Sequence, residues 1–220
     1  MPVIVAIDGP SGSGKSSVSK GVASRLHYEY LDTGAMYRAV TWWGLVHQVA
    51  PEQMPGRLGD CAIISGTDPQ APFVTVNGQD VSEAIRTPEV TAAVSAYSAV
   101  PEVLEALVLM QREAAGNAGA GLVAEGRDLG TVVFPDATLK VYLTADVEAR
   151  AARRAAENAE RGHDSDVGST HESLAARDAA DSSRAVSPLQ MADDAVHVDA
   201  TYMTLAEVID HVTGLVEERL

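Results

Sequence analysis

The sequence predicts an α/β fold built on a parallel sheet, and three features carry that expectation. Gly9-Pro10-Ser11-Gly12-Ser13-Gly14-Lys15-Ser16 fits the phosphate-binding pattern G-x-x-x-x-G-K-[ST]. It lies where an apolar run, Val3-Ile4-Val5-Ala6-Ile7, gives way to Val18, Val22 and Leu26 at helical spacing, so a strand turns into a helix there. Strand-like runs then alternate with helical segments, and polar residues follow the ends of the runs. Open α/β sheets bind ligands in that place.

The loop fits one kind of chemistry. Glycines let the backbone approach an anion closely. Consecutive N–H groups and the positive end of the following helix cradle phosphates. Lys15 adds a full charge at the β- and γ-phosphates, and the Ser16 hydroxyl can hold a magnesium ion.

The rest of the chain reads in order. Strand one and the loop fill residues 3–16, and helix one runs to Leu26. Tyr28-Glu29-Tyr30-Leu31 is a short strand ending in Asp32-Thr33-Gly34. A helix follows with Met36, Ala39/Val40, Trp43 and Val46 on one face, and with Tyr37 and Arg38 in its first turn. Asp32 and Thr33 serve as a helix N-cap, as ligand contacts, or as both. Residues 50–72 are rich in Pro, Gly, Asp and Gln and read mostly as loop. Phe73 to Val81 alternates β-formers around Asn77-Gly78, a hairpin pattern. Helices are expected from Glu89 to Ser98 and from Pro101, the second with Val103, Leu107 and Met110 on one face. This hairpin with its helices interrupts the βαβα pattern and reads as an inserted subdomain.

The central sheet resumes at Gly121-Leu122-Val123-Ala124, with Glu125-Gly126-Arg127-Asp128 beyond the strand end, and again at Leu139 to Leu143. Residues 146–161 form an Ala/Arg/Glu-rich helix ended by Gly162. Residues 163–170 read as a polar, mobile stretch, and Ser169-Thr170-His171-Glu172 as a capping box for a helix reaching Ser183. Arg177, Asp181 and Arg184 share one face of that helix, where Arg177 and Asp181 could also form a simple i,i+4 pair. Ala195 to Asp199 is a last strand, and Thr204 to Glu207 caps a final helix with Leu205, Val208/Ile209, Val212 and Leu215/Val216 inward.

Composition limits the function. The 220 residues suit one domain, and mean hydropathy near zero suits a globular protein. No apolar run reaches membrane-spanning length, and no basic-then-apolar leader precedes the phosphate loop, so a cytoplasmic protein with no membrane partner is expected. Cys61 is the single cysteine; it excludes an intramolecular disulfide and reads as a small buried hydrophobe. A net charge of −15 disfavours general nucleic-acid binding. In so acidic a chain, the arginines at 150, 153, 154, 161, 177 and 184 either gather at the phosphate site or pair along helix surfaces with Glu148, Glu157 and Glu160. No Asn-Lys-x-Asp guanine signature is present, which disfavours a GTPase. The histidines show no metal-ligand spacing.

The sequence resembles the bacterial-type cytidylate kinases, P-loop nucleoside-monophosphate kinases. The resemblance covers nearly the whole chain. Its blocks are Ile7 to Ser17, Leu31-Asp32-Thr33-Gly34-Ala35-Met36-Tyr37-Arg38, Asp80-Val81 with Ile85-Arg86-Thr87, Glu125 to Ala137, and Arg184-Ala185-Val186-Ser187-Pro188-Leu189. The resemblance implies transfer of the γ-phosphate of ATP to CMP and dCMP, with magnesium, by a single kinase domain that acts as a monomer on small nucleotides. It implies a five-stranded parallel sheet of order 2-3-1-4-5 with helices on both faces. The core would comprise residues 1–58, 106–148 and 184–220, with a nucleotide-monophosphate-binding insertion near 59–105 and a lid near 149–183. Gly9, Pro10, Ser11, Gly12, Ser13, Gly14, Lys15, Ser16 and Ser17 would hold ATP. Thr33, Tyr37, Arg38 and Arg127 would take the acceptor phosphate, Ser95 and Asp128 the cytosine, and Arg177 and Asp181 the ribose. Arg153, Arg154 and Arg184 would clamp the transferring phosphoryl group alongside Lys15, Arg38 and Arg127. One position departs: Leu104 stands where the family usually has an arginine that reads the base. Kinases of UMP or AMP, and a non-catalytic nucleotide-binding regulator, are the alternatives.

Overall fold

Alternation along β1 (Val3–Asp8) gives the sheet two apolar faces. Val5 and Ile7 join one core with Val123, Val141 and Val198, while Ala6 joins the other with Leu122 and Ala124. In this computed structural model the described residues are 2–160, 167–183 and 187–220; within them some side chains between 157 and 180, Arg177 included, lie outside the description.

Five strands form the central sheet: β1, β2 (Glu29–Asp32), β6 (Gly121–Gly126), β7 (Leu139–Thr144) and β8 (Val196–Asp199). Their spatial order is β2-β6-β1-β7-β8, and every pairing is parallel. Numbered through this sheet alone, the order is 2-3-1-4-5. Helices cover both faces, which is why the strands read as continuous apolar runs. α1 (Lys15–Leu26) and α7 (Leu205–Glu217) bury Val18, Val22, Val208, Val212 and Val216 on one side. α2 (Thr33–Val46) and α4 (Pro101–Asn117) bury Met36, Val40, Trp43, Val103 and Leu107 on the other. Each such side chain contributes about 1.5–3 kcal/mol of transfer free energy.

A second, antiparallel sheet of three strands, β3 (Ile63–Ser65), β4 (Val74–Val76) and β5 (Gln79–Asp80), lies between α2 and α3 (Pro88–Ser98) in the chain. Asn77 and Gly78 join β4 to β5 with φ of 52° and 81°, the two left-handed residues of a type I′ turn. β3 falls in the stretch read as loop. Its three residues are too few to show alternation, and pairing with β4 makes the strand. The same stretch holds two 3-10 turns, Pro51–Gly56 and Leu58–Asp60, and Met54 of the first is fully buried.

Other expectations shift in detail. Val46 is 55% exposed and Leu205 50%, because each sits at a helix end where the apolar stripe has run past the core. α2 begins at Thr33, so Tyr37 and Arg38 lie in its second turn. The boundaries expected at 105 and 148 fall inside α4 and inside α5 (Val147–Glu160). α6 (Val167–Ser182) starts two residues before Ser169, so the Ser169–Glu172 box is inside the helix. Residues 161–166, with the expected stop at Gly162, lie outside the described residues. Among the described residues, no helix is long and apolar enough to cross a membrane.

Candidate active site

The carboxyl ends of β1, β2 and β6 open into a cleft of about 1070 Å³. Its floor is the loop between β1 and α1. Gly9 (φ +149°) passes so close to β7 that a Cβ there would lie 2.0 Å from the Leu143 carbonyl oxygen, so only glycine fits. Gly12 (φ +79°) and Gly14 (φ +95°) take the left-handed backbone that the turns of the loop require. Lys15 Nζ donates to the Gly9 and Pro10 carbonyls, each at 2.8 Å, which curls the side chain back over the loop.

The opposite wall carries the residues expected on the acceptor side. Thr33, Tyr37, Arg38, Ser95, Arg127, Asp128 and Asp181 all line the cleft with Lys15 and Ser16. Arg38 donates to the Ile85 carbonyl (3.0 Å) and the Thr91 hydroxyl (2.9 Å), which ties α2 to the Ala84–Arg86 turn and to α3. Thr33 Oγ1 donates to the Glu125 carbonyl at 2.6 Å. Arg127 donates to the Gly9 carbonyl and, at 2.9 Å, to Asp181, which is 1% exposed. Leu104 also lines the cleft and is buried.

α5 turns arginines to the loop. Arg150 donates to the Ser11 carbonyl and pairs with Asp178 of α6, which also accepts the Ser11 amide at 3.1 Å. Arg154 lines the cleft within 3.5 Å of the Ser11 hydroxyl. Arg153 instead donates to the Ser13 and Ala200 carbonyls, so it holds the loop against the end of β8. Arg184 and the Arg177 side chain lie outside the described residues.

Three residues not singled out for the site belong to it. Glu125 accepts hydrogen bonds from Ser16 Oγ (2.9 Å) and Tyr30 Oη (2.5 Å). Arg86, shortly before α3, donates to Asp32 at 2.7 Å. Burial raises the Glu125 carboxyl above the ordinary range, and neighbouring Asp32 pushes the same way. Burial also opposes charge on Asp32, but the Arg86 guanidinium and the Ala35 amide prevail and hold it below the usual value. Burial and the Glu125 charge push the Tyr30 hydroxyl far up, so it stays a donor. Glu125 was legible only as a residue past a strand ending at Ala124. β6 runs on to Gly126, and the alternation aims Glu125 under Ser16.

The sequence model of the family described as Cytidylate kinase matches residues 5–218. Curated cytidylate kinases of Streptomyces griseus and Streptomyces avermitilis are each 57% identical, over 98% and 99% of this chain and 93% and 94% of theirs. One from a Geobacillus strain is 45% identical over 98% of this chain and 97% of its own. Among solved structures, an uncharacterized protein from Eubacterium ventriosum superposes with a TM-score of 0.54 at 10% identity, covering 99% of both chains. A Thermus thermophilus protein gives 0.50 at 20% identity, covering 100% of this chain and 98% of its own. At such identities these two speak to fold alone.

Proposed function

The chain belongs to the cytidylate kinase family, and from that membership we propose how its cleft carries the reaction. It is a phosphotransferase that moves the γ-phosphoryl group of ATP to CMP, giving ADP and CDP. The observation that carries the residue roles is one cleft with a phosphate loop on one wall and, on the other, the buried Arg38 and the half-buried Arg127.

ATP lies along Gly9 to Ser17, with Lys15 at its β- and γ-phosphates. CMP lies against Thr33, Tyr37, Arg38 and Arg127 by its phosphate, Ser95 and Asp128 by its base, and Arg177 and Asp181 by its ribose. dCMP is taken as well. Arg154 and Arg184 clamp the moving phosphoryl group, and Arg153 keeps the loop in place. Residues 149–183 act as the lid and 59–105 as the acceptor-binding insertion. CMP brings an ionised phosphate oxygen as nucleophile, so no strong general base is needed. Catalysis is positioning and charge stabilisation in a closed, water-poor site. Lid closure keeps ATP from water. The protein works as a cytoplasmic monomer.

The donor set fits magnesium. A hydroxyl, Ser16, stands beside a buried carboxylate, Glu125, and magnesium takes one or two such oxygens with phosphates and water. When bound it would offset charge on the β- and γ-phosphates.

Leu104 favours a second reading, a kinase with looser base choice. An apolar side chain lines the wall, so one donor fewer faces the base, and fewer polar groups are left unpaired by the wrong ligand. Coupled ADP release with ATP and magnesium, offering CMP, dCMP, UMP, AMP and GMP in turn, tests both readings. Preference for CMP and dCMP is expected; turnover of none of the five refutes the proposed roles. Leu104→Arg is expected to lower the KM for CMP about tenfold and raise the CMP-to-UMP ratio of kcat/KM similarly. An unchanged KM for CMP would sink the idea that Leu104 loosens base choice.

A further inference from the structure

Asp8 lies at the carboxyl end of β1, directly before the phosphate loop, and is 5% exposed. Asp8 is neither a phosphate-loop glycine nor a wall of the cleft, yet both of its carboxylate oxygens are engaged. Oδ1 accepts the Leu129 amide at 3.0 Å and Oδ2 the Gly130 amide at 2.8 Å. Those amides open the short helical turn Leu129–Val133, immediately after Arg127 and Asp128. A carboxylate on two successive amides at the start of a turn fixes both the position and the direction of the residues before it. Arg127 is meanwhile bonded to the carbonyl of Gly9, the residue after Asp8. The end of β1 and the first loop residue thus grip the acceptor wall side by side, by an Asp8 carboxylate and a Gly9 carbonyl.

We infer that Asp8 is a positioning residue, whose carboxylate sets Arg127 and Asp128 at a fixed distance from the phosphate loop and so aligns acceptor with donor. This rests on the acceptor-side roles proposed above. An in-line transfer needs that alignment, and a shift of about 1 Å is costly to rate.

The grip is sensitive to protonation. Burial raises the Asp8 carboxyl to about 6, and Asp128 pushes the same way; the two amides and Lys15 act in the opposite sense. The other charged or titratable groups around it are Tyr142, its neighbour on β7, Arg127 on the acceptor turn, and Lys140, which packs on Gly130 and pairs with Asp194. A protonated carboxyl keeps one acceptor and turns an O–H toward the other amide, so the grip loosens below about pH 6.

Asp8→Asn keeps the shape and loses one acceptor. It is expected to raise the KM for CMP about tenfold with the KM for ATP changed less than about twofold. Wild-type turnover of CMP is the control that tests the underlying reading separately. The CMP phosphate also titrates, with a second pKa of about 6. Below pH 6 log(kcat/KM) for CMP should therefore have a steeper slope in wild type than in Asp8→Asn, the extra fall amounting to about tenfold in all, the factor that the variant has already lost. Equal rises in both KM values, or equal slopes, would overturn the inference. A nucleotide-free measurement on the wild type guards against a variant that does not fold. The ¹⁵N-amide resonances of Leu129 and Gly130 should move together with a midpoint near pH 6, and resonances that stay still from pH 5 to 8 would overturn it.

Discussion

Lys15→Ala is expected to lower kcat by about three orders of magnitude with the fold retained. Lys15 is 9% exposed, and its ammonium rests on the Gly9 and Pro10 carbonyls at the mouth of the phosphate cradle. In a protein of net charge −15 each cation at the cleft counts, and Lys15 shares with Arg127 and Arg154 the charge of two phosphorylated substrates. Alanine removes this donor from both carbonyls, but the Gly9 carbonyl keeps the Arg127 guanidinium and the Pro10 carbonyl is only part-buried, so water can replace the ammonium there. The stability change should therefore stay within about 1 kcal/mol, a few degrees in Tm. Steady-state kinetics at saturating ATP and CMP, with thermal unfolding of both proteins, measures both effects. Near-normal turnover would contradict the role of Lys15 at the transferring phosphoryl group.

What the sequence made legible was local. The phosphate loop, the Asn77-Gly78 hairpin, the Thr204 capping box and the apolar runs of the central sheet each carry their signal within about ten residues. What it hid was made by long-range pairing. β3 exists because β4 lies beside it. Glu125 reaches Ser16 across 109 residues of sequence, and Tyr30 reaches Glu125 across 95. No spacing rule links such positions, and the only local cue, strand alternation, misleads when the strand end is misplaced by two residues. The arginines of α5 teach the same lesson. As a sequence they suit surface pairs with glutamates equally well, and only the approach of α5 to the loop decides that Arg150, Arg153 and Arg154 turn to Ser11 and Ser13.

Arg127→Lys is the more discriminating large prediction, since it keeps the charge and removes the planar fork. The guanidinium spans two walls of the cleft, with one arm on Gly9 of the loop after β1 and another on the buried carboxylate of Asp181 in α6. A lysine ammonium is a point charge and cannot hold both at once in that geometry. The expected loss is about 100-fold to 1000-fold in kcat/KM for CMP, equivalent to about 3–4 kcal/mol of transition-state stabilisation. The KM for ATP should change less, because Lys15 still holds the Gly9 and Pro10 carbonyls of the cradle. Arg127→Ala should cost more, since it also takes a cation away from a carboxylate that is 1% exposed. Pairing each variant with Asp181→Asn in a double-mutant cycle separates the two arms. If Arg127 works through Asp181, the double variant should lose much less than the sum of the single losses. Full additivity would mean that the Asp181 arm is idle and Arg127 acts on the phosphate alone. An Arg127→Lys enzyme within twofold of wild type would mean that charge suffices and the fork is not used.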